Sequence, residues 1–155
     1  MADPYTQIYI QLVFAVRYRE ALIRPEFKTE MYKYIGGIFR NQDQKLLAIN
    51  GMPDHIHIFF SMKPNINLSH FVRDLKSDSS TFINENKLSK FKFNWQGGYG
   101  AFSYAHSQKD QVIKYVMNQE KHHKKKTFRE EYLELLNRFE IKYNDEYLFE
   151  FFDWS

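Results

Sequence analysis

A stretch near the start of the chain places a large apolar side chain at every second position, and this feature constrains the fold most strongly. Apolar residues occupy every second position, namely Ile8, Ile10, Leu12, Phe14 and Val16. Successive side chains of a strand point to opposite faces of a sheet. The pattern therefore predicts a β-strand over residues 6–17 whose apolar face must pack against another layer of structure.

Helical and extended segments follow this strand in an order typical of small α+β domains. The spacing of apolar residues, turn residues and helix caps predicts helices over 25–40, 67–83, 108–121 and 127–139 and strands over 45–50, 55–62, 91–95 and 101–104. We expect one α+β domain over residues 1–155, with an antiparallel sheet and helices packed on one of its faces. The other face would then be free for a ligand.

Composition limits the chain to a few classes of protein. It has 155 residues, no cysteine and 18% aromatic residues. These values indicate about one domain and exclude global disorder, a disulfide framework and a thiol nucleophile. No apolar run approaches the ~20 residues of a membrane-spanning helix, and the first ten residues do not resemble a secretory signal. We therefore expect a cytoplasmic protein that does not span a membrane.

Charge is distributed unevenly along the chain, although the net charge is only +3. Residues 109–129 contain seven Lys/Arg and two acids, whereas residues 130–155 contain eight acids and two bases. A basic block of this kind suits a polyanion such as nucleic acid. A solvated helix end, where lysines interact favourably with the helix dipole, would have the same composition.

Two histidines in the third predicted strand form a candidate metal site. His55 and His57 are at i and i+2 and therefore project from one face of the strand, whereas Ile56 points into the core. Two imidazoles on one face can bind a divalent transition metal, although a pair of surface histidines would show the same spacing. A zinc hydrolase would need a third ligand. The neighbouring Asp54 is expected to face the other side of the strand unless the turn before it rotates its side chain.

A second candidate lies in the helix predicted over residues 108–121. Tyr115 and Gln119 are at i and i+4 and share one helix face, with Val112 and Val116 on the buried face. Tyr115 is therefore expected to be exposed beside lysines. A helical tyrosine is usually a packing residue, and spacing alone does not show whether the amide oxygen of Gln119 completes a metal site.

Several segments together resemble a known family, in that family's order. His55-Ile56-His57 resembles the histidine–hydrophobe–histidine (HUH) motif of nucleases that cut single-stranded DNA. Residues 95–103, WQGGYGAFS, resemble a signature of the single-tyrosine HUH transposases, which move the smallest bacterial insertion sequences and related repeat-associated elements. Residues 115–119, YVMNQ, followed by His122-His123, resemble the stretch that carries this family's catalytic tyrosine. Residues 52–54 and 75–80 are also similar to segments of the family.

The resemblance extends from the first strand to about residue 136 and implies a role for each matching residue. Tyr115 would be the nucleophile, and His55, His57 and Gln119 would be the ligands of a divalent metal. The fold would be the ferredoxin-like sheet of HUH endonucleases, in agreement with the predicted elements. Family members are homodimers in which the tyrosine helix can serve the partner's site. They act on single-stranded DNA with a hairpin near each element end.

The implied reaction is DNA transposition by cleavage and rejoining of single-stranded DNA. Attack by Tyr115 would form a 5′-phosphotyrosine and release a 3′-OH, and the retained bond energy would allow rejoining without ATP. A bound metal would polarise and orient the phosphate. The neutral amide of Gln119 keeps the site cationic, which suits Mg²⁺ or Mn²⁺. A free tyrosine has a pKa of about 10, so the metal or a lysine would have to assist its deprotonation.

Basic side chains near these motifs are candidates for contacts with DNA phosphates. They are Arg73, Lys76, Lys114, Lys121 and Lys124. Three other functions compete with transposition. A module could bind single-stranded nucleic-acid hairpins without cleaving them, a domesticated transposase could act on host repeats, and a zinc hydrolase could work without Tyr115. An RNA-recognition module would have no need for the His-x-His and Tyr–Gln pairs.

Overall fold

The computed structural model describes residue 2 and residues 4–152, so both ends of the predicted domain, at residues 1 and 155, lie outside the described residues. Its strands and α-helices are β1 (Tyr9–Ala15), α1 (Pro25–Asn41), β2 (Lys45–Met52), β3 (His55–Ser61), α2 (Leu68–Glu85), β4 (Gly100–Tyr104), α3 (Lys109–Met117), α4 (Gln119–His123) and α5 (Phe128–Arg138). Among the described residues, no helix is long and apolar enough to cross a bilayer.

The four strands form one antiparallel sheet in the order β2-β3-β1-β4. Strand β1, buried at every position, lies inside the sheet between β3 and β4. Helix α1 connects β1 to β2, and helix α2 connects β3 to β4. This order and these connections are the ferredoxin-like arrangement, so the predicted α+β fold class is confirmed.

The main core lies between one face of the sheet and helices α1 and α2. Leu12 of β1 pairs with Ile58 of β3, and both side chains are fully buried on this face. Phe60 faces the same way, and its ring centroid lies 5.0 Å from that of Phe39 in α1 and 5.8 Å from that of Phe71 in α2. The period-two pattern of the sequence therefore marks the face that these two helices cover.

Helices also cover the second face of the sheet, and the expectation that this face is free for a ligand is wrong. Val112 and Val116 of α3 pack against Tyr9, Ala48 and Phe59, which belong to three different strands. The central strands are apolar on both faces, and such strands need a cover on each side. The candidate site consequently lies between the sheet and helices rather than on an open sheet surface.

Residues 91–95 do not form the predicted strand. Their only sheet contact within the described part of the chain is an isolated bridge between Trp95 and Val16. The backbone N–H of Phe93 instead donates to the side chain of Asn84, whose amide donates back to the Phe93 carbonyl oxygen, at 2.8 and 2.9 Å. A side chain from α2 thus satisfies backbone groups that a neighbouring strand would otherwise satisfy.

Gly51 of β2 is a position where the hairpin has no room for a side chain. A Cβ there would lie 2.2 Å from the carbonyl oxygen of His55 and 2.9 Å from the Cα of Ile56. We expect Gly51→Ala to lower the free energy of unfolding by about 3 kcal/mol, because overpacking displaces backbone. Urea denaturation measures this, with Gly97→Ala as the control, since a Cβ at Gly97 meets nothing within 4 Å. Equal stability of the two variants would contradict the expectation.

Candidate active site

His55 and His57 lie side by side on the face of β3 that α3 to α5 cover. Both side chains are fully buried, and their ring centroids are 5.1 Å apart. The shared face expected from their spacing is present. The alternative of two surface histidines is wrong, because the helices that follow β4 exclude solvent from both rings.

A carboxylate lies where the imidazoles converge. Oε1 of Glu131 is 3.0 Å from Nε2 of His57 and 3.3 Å from Nε2 of His55. Nε2 of a third histidine, His123, is 3.1 Å from the same oxygen. His55, His57 and Glu131 offer ligand atoms that all lie within 4.8 Å of one another and could bind a metal ion.

Glu131 belongs to α5, and the sequence motifs did not single it out. Phe128, Tyr132 and Leu135 are buried on the same helix, and their spacing places residue 131 on the inner face as well. Glu131 is only 4% exposed. Charged residues are almost never fully buried unless they are paired. A carboxylate on the apolar face of a predicted helix is therefore the signal that could have identified it.

Tyr115 is half-buried and contacts this carboxylate, contrary to the expectation of an exposed tyrosine. Its hydroxyl donates a hydrogen bond to Oε2 of Glu131. Its ring centroid lies 5.8 Å from that of His57. Tyr115 is less exposed than expected because α5 packs beside α3. The spacing of residues within α3 does not reveal this contact. Tyr115 and the two strand histidines therefore meet within one chain.

The helix predicted over residues 108–121 is divided at Asn118, whose backbone angles are φ −101° and ψ 26°. The side chain of Asn50 donates to the carbonyl oxygen of Met117, 3.0 Å away, and so binds a backbone group at the end of α3. Gln119 begins α4 and is fully buried, with Oε1 3.2 Å from Nε2 of His55. The expected association of Tyr115, Gln119 and the histidines is present, but on two short helices.

Asp54 also belongs to the site, and of the two orientations that the sequence left open, the one rotated by the turn is present. Its Oδ1 lies 2.7 Å from Nδ1 of His55, and both residues are buried. The turn between β2 and β3 rotates the carboxylate towards the histidine. A carboxylate on the outer ring nitrogen orients an imidazole, so Nε2 of His55 points to Glu131.

The buried charges shift the pKa values of these groups. Burial lowers the pKa of His55, but hydrogen bonds and charges from Asp54 and Glu131 outweigh it and raise that pKa to about 9. Burial lowers the pKa of His57. Burial raises the pKa of Glu131, but the histidines outweigh it and hold that pKa well below its usual range. Burial, and then the charge of Glu131, raise the pKa of Tyr115. At neutral pH the carboxylate is therefore charged and the tyrosine protonated.

A cavity of about 570 Å³ opens beside Tyr115, and most of its charged lining is basic. Its basic lining residues are Lys121, His122, His123, Lys124, Lys125, Lys126 and Arg138. Lys126 is paired with Glu134, at 2.7 Å. Two predicted DNA contacts, Lys121 and Lys124, thus lie next to Tyr115. Lys114 is exposed on α3 but does not line this cavity.

The two remaining predicted DNA contacts, Arg73 and Lys76, are on α2, which packs on the opposite face of the sheet. Arg73 is exposed, with Nε 3.2 Å from the neighbouring aspartate. Nζ of Lys76 donates to the carbonyl oxygens of Gln96, at 2.6 Å, and Gly98, at 2.8 Å. Lys76 therefore supports the glycine-rich turn, and neither side chain lies beside Tyr115. Their contact with DNA stays a prediction.

Comparisons with known proteins show which family the chain is similar to. A family model described as "Transposase IS200 like" matches residues 4–119. The ISDra2 transposase TnpA of Deinococcus radiodurans is 23% identical over 118 residues, which cover 73% of this chain and 84% of that protein.

Two solved structures share the fold. A transposase from Deinococcus radiodurans superposes with a TM-score of 0.60 and 21% identity, over 77% of this chain and 96% of its own. A REP-associated tyrosine transposase bound to a REP hairpin superposes with a TM-score of 0.57 and 15% identity, over 100% of this chain and 94% of its own. The resemblance found in the sequence is confirmed, since the family model matches well over half of the chain. The chain belongs to the IS200-like, single-tyrosine HUH transposases.

Proposed function

We propose that this transposase cleaves and rejoins single-stranded DNA at element-end hairpins, with Tyr115 as its nucleophile and a divalent metal bound beside it. One observation carries the proposal. The carboxylate that accepts the hydrogen bond of the Tyr115 hydroxyl also lies against Nε2 of both His55 and His57. A nucleophile and a set of metal ligands therefore share one buried site.

The donor atoms present suit a divalent metal. Two imidazole nitrogens, from His55 and His57, face the carboxylate of Glu131. The amide oxygen of Gln119 lies 3.2 Å from Nε2 of His55. Gln119 stays the expected third ligand, and Glu131 is a further candidate. A catalytic site holds its metal with a few protein ligands and keeps positions open. The metal, Mg²⁺ or Mn²⁺, would polarise the scissile phosphate when bound.

The proposed cleavage step exchanges one phosphate ester for another. The oxygen of Tyr115 attacks phosphorus, and the bond from phosphorus to the 3′ oxygen breaks as the new bond forms. The products are a 5′-phosphotyrosine and a 3′ oxygen that takes up a proton. Oε2 of Glu131 accepts the hydrogen bond of the hydroxyl and so orients the attacking oxygen. The bound metal or a lysine of the cavity would assist loss of the tyrosine proton to solvent. Attack by a 3′-OH on the phosphotyrosine reverses the step and joins the strands.

The basic cavity is the proposed path of the DNA strand to Tyr115. Lys121 and Lys124 line it and are exposed, as side chains that neutralise phosphates must be. A hairpin substrate is proposed by extension, because a structural neighbour is described as bound to a REP hairpin. The cavity itself favours a nucleic-acid strand over a neutral ligand.

Tyr115 is proposed to act on DNA in its own chain. Its hydroxyl contacts Glu131 of the same chain, so a second copy is not needed to complete the site. Homodimerisation stays a prediction. A hairpin-binding module without chemistry remains the alternative function.

A covalent adduct is the expected product of the reaction and tests the proposal. The protein would be mixed with a 3′-labelled single-stranded hairpin oligonucleotide from the flank of its own gene and with Mn²⁺ or Mg²⁺. A denaturing gel should show label on the protein, because the tyrosine keeps the 5′ phosphate of the 3′ fragment. A 5′-labelled copy should give only a shortened free strand, and a chelator should abolish both products.

The same gel separates the competing functions. Binding without an adduct would favour the hairpin-binding module. Shortened DNA without an adduct would mean that water is the nucleophile and would favour a metallohydrolase. The fully paired duplex of the same sequence is the control and should give no adduct.

A further inference from the structure

We propose that His123 is an additional metal ligand, so that three imidazoles rather than two bind the ion and the site prefers a transition metal to Mg²⁺. The inference rests on the metal site of the proposed function. It concerns a residue of the tyrosine segment to which the resemblance gave no role, four positions beyond Gln119.

The side chain of His123 is 5% exposed and points to the centre of the site. Its Nε2 lies 3.1 Å from Oε1 of Glu131 and 3.1 Å from Oε1 of Gln119. Its ring centroid is 4.8 Å from that of His55. Three imidazole Nε2 atoms, from His55, His57 and His123, therefore surround a single carboxylate oxygen at 3.0 to 3.3 Å.

The short helix α4 explains why His123 reaches the site. Gln119 and His123 are at i and i+4 and so lie on one face of this helix. The break at Asn118 separates α4 from α3, so the face of α4 that meets β3 carries an amide and an imidazole. The adjacent His122 packs against Tyr115 instead, with its ring centroid 4.6 Å from that of Tyr115. Two neighbouring histidines thus lie in different environments.

The proposed ligand set determines which ions the site prefers. It contains three nitrogen donors and the oxygens of Glu131 and Gln119. Mg²⁺ prefers oxygen ligands in a near-ideal octahedron, whereas imidazole suits transition metals. A third imidazole therefore raises the affinity for Co²⁺ most, raises that for Mn²⁺ less and does little for Mg²⁺.

Metal titration of the full chain, freed of metal by a chelator and then dialysed, tests the proposal without measuring activity. Calorimetry would follow Mn²⁺ and Mg²⁺ binding to wild type and to His123→Ala, His122→Ala and His57→Ala. We expect His123→Ala to weaken Mn²⁺ binding by roughly tenfold to a hundredfold, as losses around metal sites typically do, and to change Mg²⁺ binding less. His122→Ala, the matched control, should bind Mn²⁺ like wild type.

A second variant covers the case in which His123→Ala does not fold, as judged by circular dichroism. His123→Gln keeps a polar side chain but replaces nitrogen by oxygen, so the visible absorption of bound Co²⁺ should differ from that of wild type. An unchanged Co²⁺ spectrum, or unchanged Mn²⁺ affinity in His123→Ala, would overturn the proposal. If His57→Ala still weakens Mn²⁺ binding in that case, the metal site of the proposed function stands. A wild type that binds no Mn²⁺ would overturn both.

Discussion

Tyr115→Phe is expected to abolish the covalent protein–DNA adduct and to slow strand cleavage at least about 10³-fold, as loss of a nucleophile does. The variant removes only the hydroxyl that contacts Glu131. It keeps the ring that packs against His57 and His122, at centroid distances of 5.8 and 4.6 Å. Metal binding and folding should therefore be nearly unchanged. The 3′-labelled hairpin assay and a metal titration of the same preparation measure the two quantities.

The matched control for this variant is Tyr147→Phe, because Tyr147 is 84% exposed. It should form the adduct at the wild-type rate. An adduct that persists in Tyr115→Phe would mean that another residue is the nucleophile. Cleavage that persists without an adduct would mean that water attacks the phosphate and that Tyr115 is a packing residue.

Glu131→Ala is expected to lower the free energy of unfolding of the metal-free protein by about 3 kcal/mol, the cost of removing one member of a buried charged pair. The carboxylate is the common partner of three imidazoles and of the Tyr115 hydroxyl. Its loss leaves these buried polar groups without their partner. Urea denaturation in the presence of a chelator measures the change.

Glu134→Ala provides the comparison on the same helix. The carboxylate of Glu134 pairs with Lys126 at 2.7 Å, but both side chains are about half exposed, and exposed pairs contribute about 0–1 kcal/mol. Similar losses of stability in the two variants would contradict the central role given to Glu131. Mn²⁺ should also bind more weakly to Glu131→Ala than to Glu134→Ala.

The effect of Glu131→Ala should depend on pH. The pKa of Glu131 is held below its usual range, so its contribution is present above the unfolded value of about 4.3 and is lost as the pH falls. The pKa of His55 is raised to about 9, so its contribution is full below about 6.5 and is lost as the pH rises through 9. The difference in stability between wild type and variant should therefore be largest between about pH 4.5 and 6.5.

The local sequence pattern was sufficient to predict those strands and helix ends that depend on a single segment of the chain. Alternation in β1 and β3 identified both strands and the apolar face that α1 and α2 cover. The capping box of Thr127 and Glu130 marked the start of α5. Prediction of a strand failed where a side chain distant in the sequence binds the backbone of the segment. Residues 91–95 lack a full strand because Asn84 binds the backbone of Phe93.

By itself, the sequence determined the α+β fold class and the family of the chain, and it placed His55, His57, Tyr115 and Gln119 as candidates. The fold class, the family and these candidate residues can be recognised from periodicity and from motifs within short segments. Only the tertiary structure added Glu131, placed His123 beside it, covered the second sheet face and decided which way Asp54 points. The physical reason is that burial of a charged or polar side chain requires partners, and here most of those partners come from elements distant in the chain.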